Sequence, residues 1–321
     1  MPLFATTVFL SAFLLFQIQP VVAKMILPWF GGSSSVWSTC MVFFQGVLLL
    51  GYGYVHWLSE RVSPRRQPIV HAVLLLASLA TLPVAADPSW KGMALAYPSW
   101  SVLAVLAGAV GVPYLLLSTT GPLMQVWYAR ASRRAGTEAR PYRLYALSNL
   151  ASMLALLTYP VLVEPALSVG DQALGWSWVY AVFVLACLGS AWLGWKASDA
   201  AEPRAADTEP DSPRPSLREC LLWIGLAATA SILLLSLTRH LTQDIAPVPF
   251  LWVLPLSIYL LSFILCFDAP KYYVRPVFLA ALPVAFVVLD QVKSVNTGVP
   301  LLIVAMSLAL FVFCMVCHGE L

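Results

Sequence analysis

From residue 3 to residue 317 the sequence is a succession of apolar runs, each near the length that crosses a bilayer, with most charged residues gathered in the gaps. A helix rises 1.5 Å per residue, so about 20 apolar residues span the hydrocarbon core. Runs of this length read as membrane helices. Composition agrees, with 60% of residues hydrophobic and 10% charged, where a soluble domain carries about 25% charged residues. The sequence therefore predicts an all-α integral membrane protein whose first partner is the lipid bilayer. Its net charge of +3 gives no indication of nucleic acid.

About ten transmembrane helices are predicted, over residues 3–27, 36–58, 69–86, 101–118, 142–163, 176–195, 220–238, 250–267, 277–289 and 299–317. Trp and Tyr gather near several ends, among them Trp57, Trp127, Tyr128, Trp176, Trp195 and Tyr272, as an interfacial belt requires. Basic residues set the orientation. With a cytoplasmic N-terminus, the inner loops hold fourteen of the eighteen: Arg61, Arg65, Arg66; Arg130, Arg133, Arg134, Arg140, Arg143; Lys196, Arg204, Arg214, Arg218; Lys271 and Arg275. Both termini are thus expected in the cytoplasm. The first run lacks a basic stretch before it, so it reads as a retained helix rather than a cleaved signal.

The charged stretch 196–219 divides the chain into a first six-helix half (1–195) and a second four-helix half (220–321). It carries four basic residues, six acidic residues and four prolines, and is expected to be a disordered cytoplasmic linker. Six helices followed by a charged inner loop is the layout of major-facilitator-type transporters. A six-plus-four arrangement implies a second half that is apparently truncated.

Polar residues inside such helices face a bundle interior or a wet cavity, or else cost free energy. The first helix carries Gln17, Gln19 and Lys24 around Pro20, and ends in Gly31-Gly32-Ser33-Ser34-Ser35. Broken, polar first helices often line a transport pathway. Gln45, Asn149, Arg239, His240, Gln243 and Asp244 complete the candidate cavity or ligand-binding set. An ion pair of Lys24 or Arg239 with Asp244, locking the halves together, is the competing structural reading. Glu164 reads as interfacial.

Several long motifs carry a resemblance. SAFLLFQIQPVVAKMILPWFGGSSSVWSTCMVFFQ, VPYLLLSTTGPLMQVWYA, PYRLYALSNLASMLALLTYPVLVEP, RHLTQDIAPVPFLWVLPLSIYLLSFILCFD and the final CHGEL resemble the bacterial membrane-anchored spermidine synthase-like family. That family joins a major-facilitator-like membrane module to a soluble aminopropyltransferase-like domain. The resemblance implies an inner-membrane location, a link to polyamine metabolism, and a soluble spermidine synthase-like domain or subunit as a possible partner. It leaves three readings open: a transporter-like module, the anchor or subunit of such an enzyme, and a structural partner without transport. The chain stops directly after CHGEL, without the soluble domain of the family.

No catalytic constellation is present in the sequence. A dinucleotide site needs a strand, a glycine-rich turn and a later acidic residue, and no glycine here has that setting. No cofactor is expected. Cys40, Cys187, Cys220 and Cys266 read as small core residues. Cys314, Cys317 and His318 match the CxxCH pattern of haem attachment, but the charge bias places them on the cytoplasmic side. As a metal site they lack a fourth ligand, which leaves two membrane-facing thiols and a helix-end histidine. With two cations against one acid, a ligand beside Lys24 and Arg239 is expected to be anionic or zwitterionic rather than free spermidine.

Overall fold

The computed structural model describes residues 2–31, 34–86, 98–136, 141–198, 215–241, 250–268, 270–294 and 298–321. Among them every regular element is helical. The chain divides into two compact units, Met1–Glu202 and Pro203–Leu321. The first contains α1 (Pro2–Phe30), α2 (Ser34–Arg61), α3 (Gln67–Ser78), α4 (Pro98–Leu106), α5 (Val112–Arg134), α6 (Pro141–Thr158), α7 (Glu164–Ala166) and α8 (Val169–Ser198). The second contains α9 (Leu217–His240), α10 (Phe250–Asp268), α11 (Arg275–Ser294) and α12 (Val299–Gly319).

Among the described residues eight helical segments are long and apolar enough to cross a membrane, and two shorter apolar ones, Gln67–Thr81 and Val253–Phe267, accompany them. The chain is a multi-pass membrane protein whose described regular elements are all helical. Each apolar run of the sequence carries a helix, but several boundaries differ. The third is helical only to Thr81. The fourth, expected to stop at residue 118, continues through Gly121-Pro122 to Arg134. Proline removes a backbone donor, yet the turn before it is supported by side chains. Ser118 donates to the Leu115 carbonyl, Thr119 and Thr120 donate to that of Leu116, and Ser11 donates to that of Leu117. Such hydroxyls are what lets membrane helices tolerate proline. One π-helical turn, Ala107–Gly111, joins α4 to α5, and another, Tyr159–Val163, joins α6 to α7.

The proposed linker is shorter at both ends than 196–219. Helix α8 runs through Lys196 to Ser198. Helix α9 starts at Leu217 because Ser216 and Glu219 form a reciprocal capping box, satisfying two end donors. Residues 199–214 lie outside the described residues.

In the first unit α1 is the central helix, packed on α5, α6 and α8, while α2 lies on α4 and α5 and α3 on α8. It stays helical through Pro20 and Pro28. Its small polar residues bind neighbours rather than solvent: Thr7 and Ser190 hydroxyls lie 2.9 Å apart, and Ser11 reaches the Leu117 carbonyl of α5 at 2.8 Å. Trp176 of α8 donates its indole N–H to the Leu14 carbonyl at 3.0 Å. In lipid, where apolar burial gives little drive to association, such contacts hold helices together. In the second unit α12 is central, packed on α9, α10 and α11. Helices α9 and α11 leave apolar residues such as Leu221, Ile224, Val284 and Phe286 exposed, as lipid-facing helices do.

Candidate functional site

Residues 17, 21 and 24 follow the i, i+4, i+7 spacing of one helix face. On α1 this face carries Gln17, Val21 and Lys24. Opposite it lie α7 and the start of α8. Gln17 and Val21 line a hollow of about 120 Å³ together with Asp171, Gln172 and Trp176. At its rim Lys24 Nζ meets Glu164 Oε1 at 2.9 Å. The pair is partly open, with 39% and 28% of the two side chains exposed. An ion pair this accessible contributes at most about 1 kcal/mol. Glu164 thus balances the Lys24 ammonium, while Asp171 lines the hollow.

The expected pairing of Lys24 or Arg239 with Asp244 falls on a residue outside the described ones. Lys24 is paired with Glu164, which is partly buried. The physical reason is helix length. Helix α6 and the π turn after it carry Glu164 up to the level of Lys24, and α8 begins at Val169, seven residues before the expected span. Ser168 receives the Asp171 N–H on its hydroxyl oxygen at 3.2 Å, which fixes that start. The Ser168 hydroxyl in turn donates to Asp171 Oδ2 at 2.6 Å. Gln172 is buried, donates to the Leu167 carbonyl at 2.9 Å, and accepts the Tyr159 hydroxyl at 3.1 Å. It therefore braces the chain between α7 and α8. The Ser-x-x-Asp spacing at 168–171 was the sequence signal for this helix start.

A second hollow, of about 350 Å³, lies beside the same end of α1. It is apolar, walled by Met25, Trp29, Val84, Ala86 and Ala173. Its size falls in the range of small-ligand pockets, about 300–1,000 Å³. Met25 adjoins Lys24 in the chain, so the polar and apolar hollows flank one stretch of α1.

The other candidates separate. Gln19 faces away from this groove and bonds the Tyr114 hydroxyl of α5 at 3.2 Å and the Leu15 carbonyl of its own helix at 3.4 Å. Gln45 is exposed on α2. Asn149 folds back onto the Tyr145 carbonyl at 3.2 Å. Arg239 and His240 close α9 in the second unit. Gln243 and Asp244 lie outside the described residues. The polar residues of α1 therefore do different jobs: Thr7, Ser11 and Gln19 join helices, Gln17 faces a hollow, and Lys24 pairs with Glu164.

The thiols of the final motif are buried rather than membrane-facing: Cys314 is fully enclosed and Cys317 nearly so. Ser262 of α10 donates its hydroxyl to the Tyr259 carbonyl at 2.7 Å. The Ser262 hydroxyl also lies 2.9 Å from His318 Nδ1, and His318 Nε2 is buried without a partner among the described residues. The Cys314 thiol lies against the same Ser262 hydroxyl. Among the described residues no group of three or more His, Cys, Asp or Glu residues is placed to hold a metal ion.

The rest of CHGEL is a clasp. A Cβ on Gly319 would fall into the Tyr273 ring. Glu320 accepts from the Tyr273 hydroxyl at 2.9 Å and from Arg275 Nε at 2.7 Å. Arg275 and Tyr273 hold the Glu320 carboxyl below its ordinary value. Burial, and then the Glu320 contact, push the Tyr273 phenol up to about 12. No family model, curated protein or solved structure matches the chain.

Proposed function

We propose that this chain is a transporter-like membrane module for a small polar solute, linked to polyamine metabolism as its motifs imply. In this reading it has a major-facilitator-like six-plus-four arrangement and lies in the bacterial inner membrane with both termini cytoplasmic. The observation that carries the reading is the partly open Lys24–Glu164 pair above the hollow lined by Gln17 and Asp171. Charged residues inside a membrane protein usually mark a pathway for substrate or ions. Because Glu164 compensates Lys24, the site does not select an anion. A zwitterion suits it better, its ammonium replacing Lys24 at Glu164 and its carboxylate replacing Glu164 at Lys24.

The test is thermal stabilisation of the purified chain by an α-amino acid panel, simple carboxylates and spermidine, followed by uptake in vesicles for any hit. A zwitterion should stabilise the native chain, and Lys24→Gln or Glu164→Gln should abolish that effect. The swap Lys24→Glu with Glu164→Lys should keep ligand-free stability. Stabilisation by spermidine alone, unaffected by these changes, would overturn the reading. A chain serving only to anchor a soluble aminopropyltransferase would respond to no solute at this site.

A further inference from the structure

At the end of the first unit opposite the Lys24 pair, three contacts draw separate elements together. Arg130 of α5 donates from Nη1 to Gln67 Oε1 at 2.7 Å. Ser198, at the end of α8, donates to the Pro64 carbonyl of the α2–α3 turn at 3.1 Å. Arg134 donates to the Lys196 carbonyl, in the last turn of α8. Arg61 and Arg66 on the turn, Arg130, Arg133 and Arg134 on α5, and Lys196 on α8 therefore share one end. Among the described residues of these elements the carboxylate nearby is Glu60, 3.6 Å from His56. Cations crowded in this way repel one another unless anions sit among them.

Three features say which anion. Gln67 is fully buried and held by the Val62 and Ser59 carbonyls at 2.9 and 3.4 Å, so it sets the half-buried Arg130 guanidinium in place. A guanidinium matches a phosphate with paired N–H groups. Exposed Trp57 and Trp192 stand at this level, with the Lys196 ammonium 3.6 Å above the Trp192 ring, which marks the depth of lipid headgroups. Directly after Arg66, Ile69, Val73 and Leu76 form an exposed apolar stripe down α3 at i, i+4, i+7 spacing.

We infer that this end of the first unit binds anionic phospholipid, its phosphate received by the arginines of α5 and the α2–α3 turn and its acyl chains lying along the α3 stripe. Basic pockets between membrane helices hold such headgroups elsewhere.

The test uses the full chain in detergent, with phosphatidylglycerol, phosphatidylcholine of the same chains, and inorganic phosphate as probes. Lipid retention is read by native mass spectrometry and stability by thermal unfolding. Phosphatidylglycerol should be retained about tenfold over phosphatidylcholine, should raise the unfolding temperature, and should lose both effects as salt rises. Arg66→Gln with Arg133→Gln should cut retention about tenfold without lowering lipid-free stability. If that variant fails to fold, Arg66→Lys with Arg133→Lys keeps the charge but loses the fork, and about a threefold loss of retention is expected. Equal retention of phosphatidylcholine overturns the inference. So does equal stabilisation by inorganic phosphate, which would make this a free-phosphate site, or unchanged retention in both variants.

Discussion

At Gly319 a single methyl group has no room. Because an added Cβ would fall into the Tyr273 ring, Gly319→Ala must push that ring off Glu320. Overpacking of this kind costs about 1–3 kcal/mol, to be read as a lower unfolding temperature that Tyr273→Ala partly restores. The neighbouring Glu320 gives a pH prediction. Its carboxyl is held below the ordinary 4.5 by Arg275 and then by Tyr273. A depressed folded value stabilises above the unfolded value and is lost as pH falls through the folded one. Stability should therefore fall below about pH 4.5, and Glu320→Gln should flatten that part of the profile. The effect should be small because Arg275 is largely exposed and solvent screens the pair. Cys314, Cys317 and His318 are all buried against α10 and its neighbours, with no room for a macrocycle beside them, so the purified chain should carry no covalent haem. A haem-staining band lost in Cys317→Ser would contradict that geometry.

Between elements, close approach depends on what is missing. Helix α2 meets α5 where a Cβ on Gly51 would overlap the Ser118 hydroxyl. Gly51→Val should therefore separate these helices and lower stability by about 1–3 kcal/mol, and Ser118→Gly should recover part of it. A variant as stable as the native chain would mean that α2 and α5 are not held at this distance. The same pair shows why α5 was hard to delimit from sequence. Gly121-Pro122 reads as a stop, yet the helix goes on, its preceding turn braced by the hydroxyls of Ser118, Thr119, Thr120 and Ser11 on the carbonyls of Leu115 to Leu117. The start of α8 was missed for a related reason. Residues 169–175 are mixed in polarity, and their helical state depends on the Ser168–Asp171 cap and on Gln172 bridging to Tyr159.

For the whole molecule the prediction is topological. The α2–α3 turn and the α10–α11 turn carry basic residues and should face the cytoplasm, whereas the α7–α8 connection should not. In a cysteine-free background, Ser63→Cys and Tyr272→Cys should react with a membrane-impermeant maleimide only from the cytoplasmic side, and Ser168→Cys only from the other. Labelling of Ser63→Cys and Ser168→Cys from the same side would break the assigned order of spans.

By itself the sequence determined that the chain is helical, multi-pass and membrane-embedded, because run length and apolarity are local properties and lipid imposes helix on them. It also marked Gln17 and Lys24 as residues that need a reason to be there. What those residues meet was decided only by tertiary structure. Lys24 pairs with Glu164, 140 residues away, in a helical segment that runs three residues past the end the sequence placed at 163. Gln17 and Gln19 are two positions apart yet face a hollow and a neighbouring helix respectively, since each residue turns about 100° around the axis. Cys314, Cys317 and His318 spell a cofactor motif, but Ser262 of α10 takes up the imidazole Nδ1 and the Cys314 thiol. Pattern tells which face of a helix is unusual; packing alone tells what is brought opposite it.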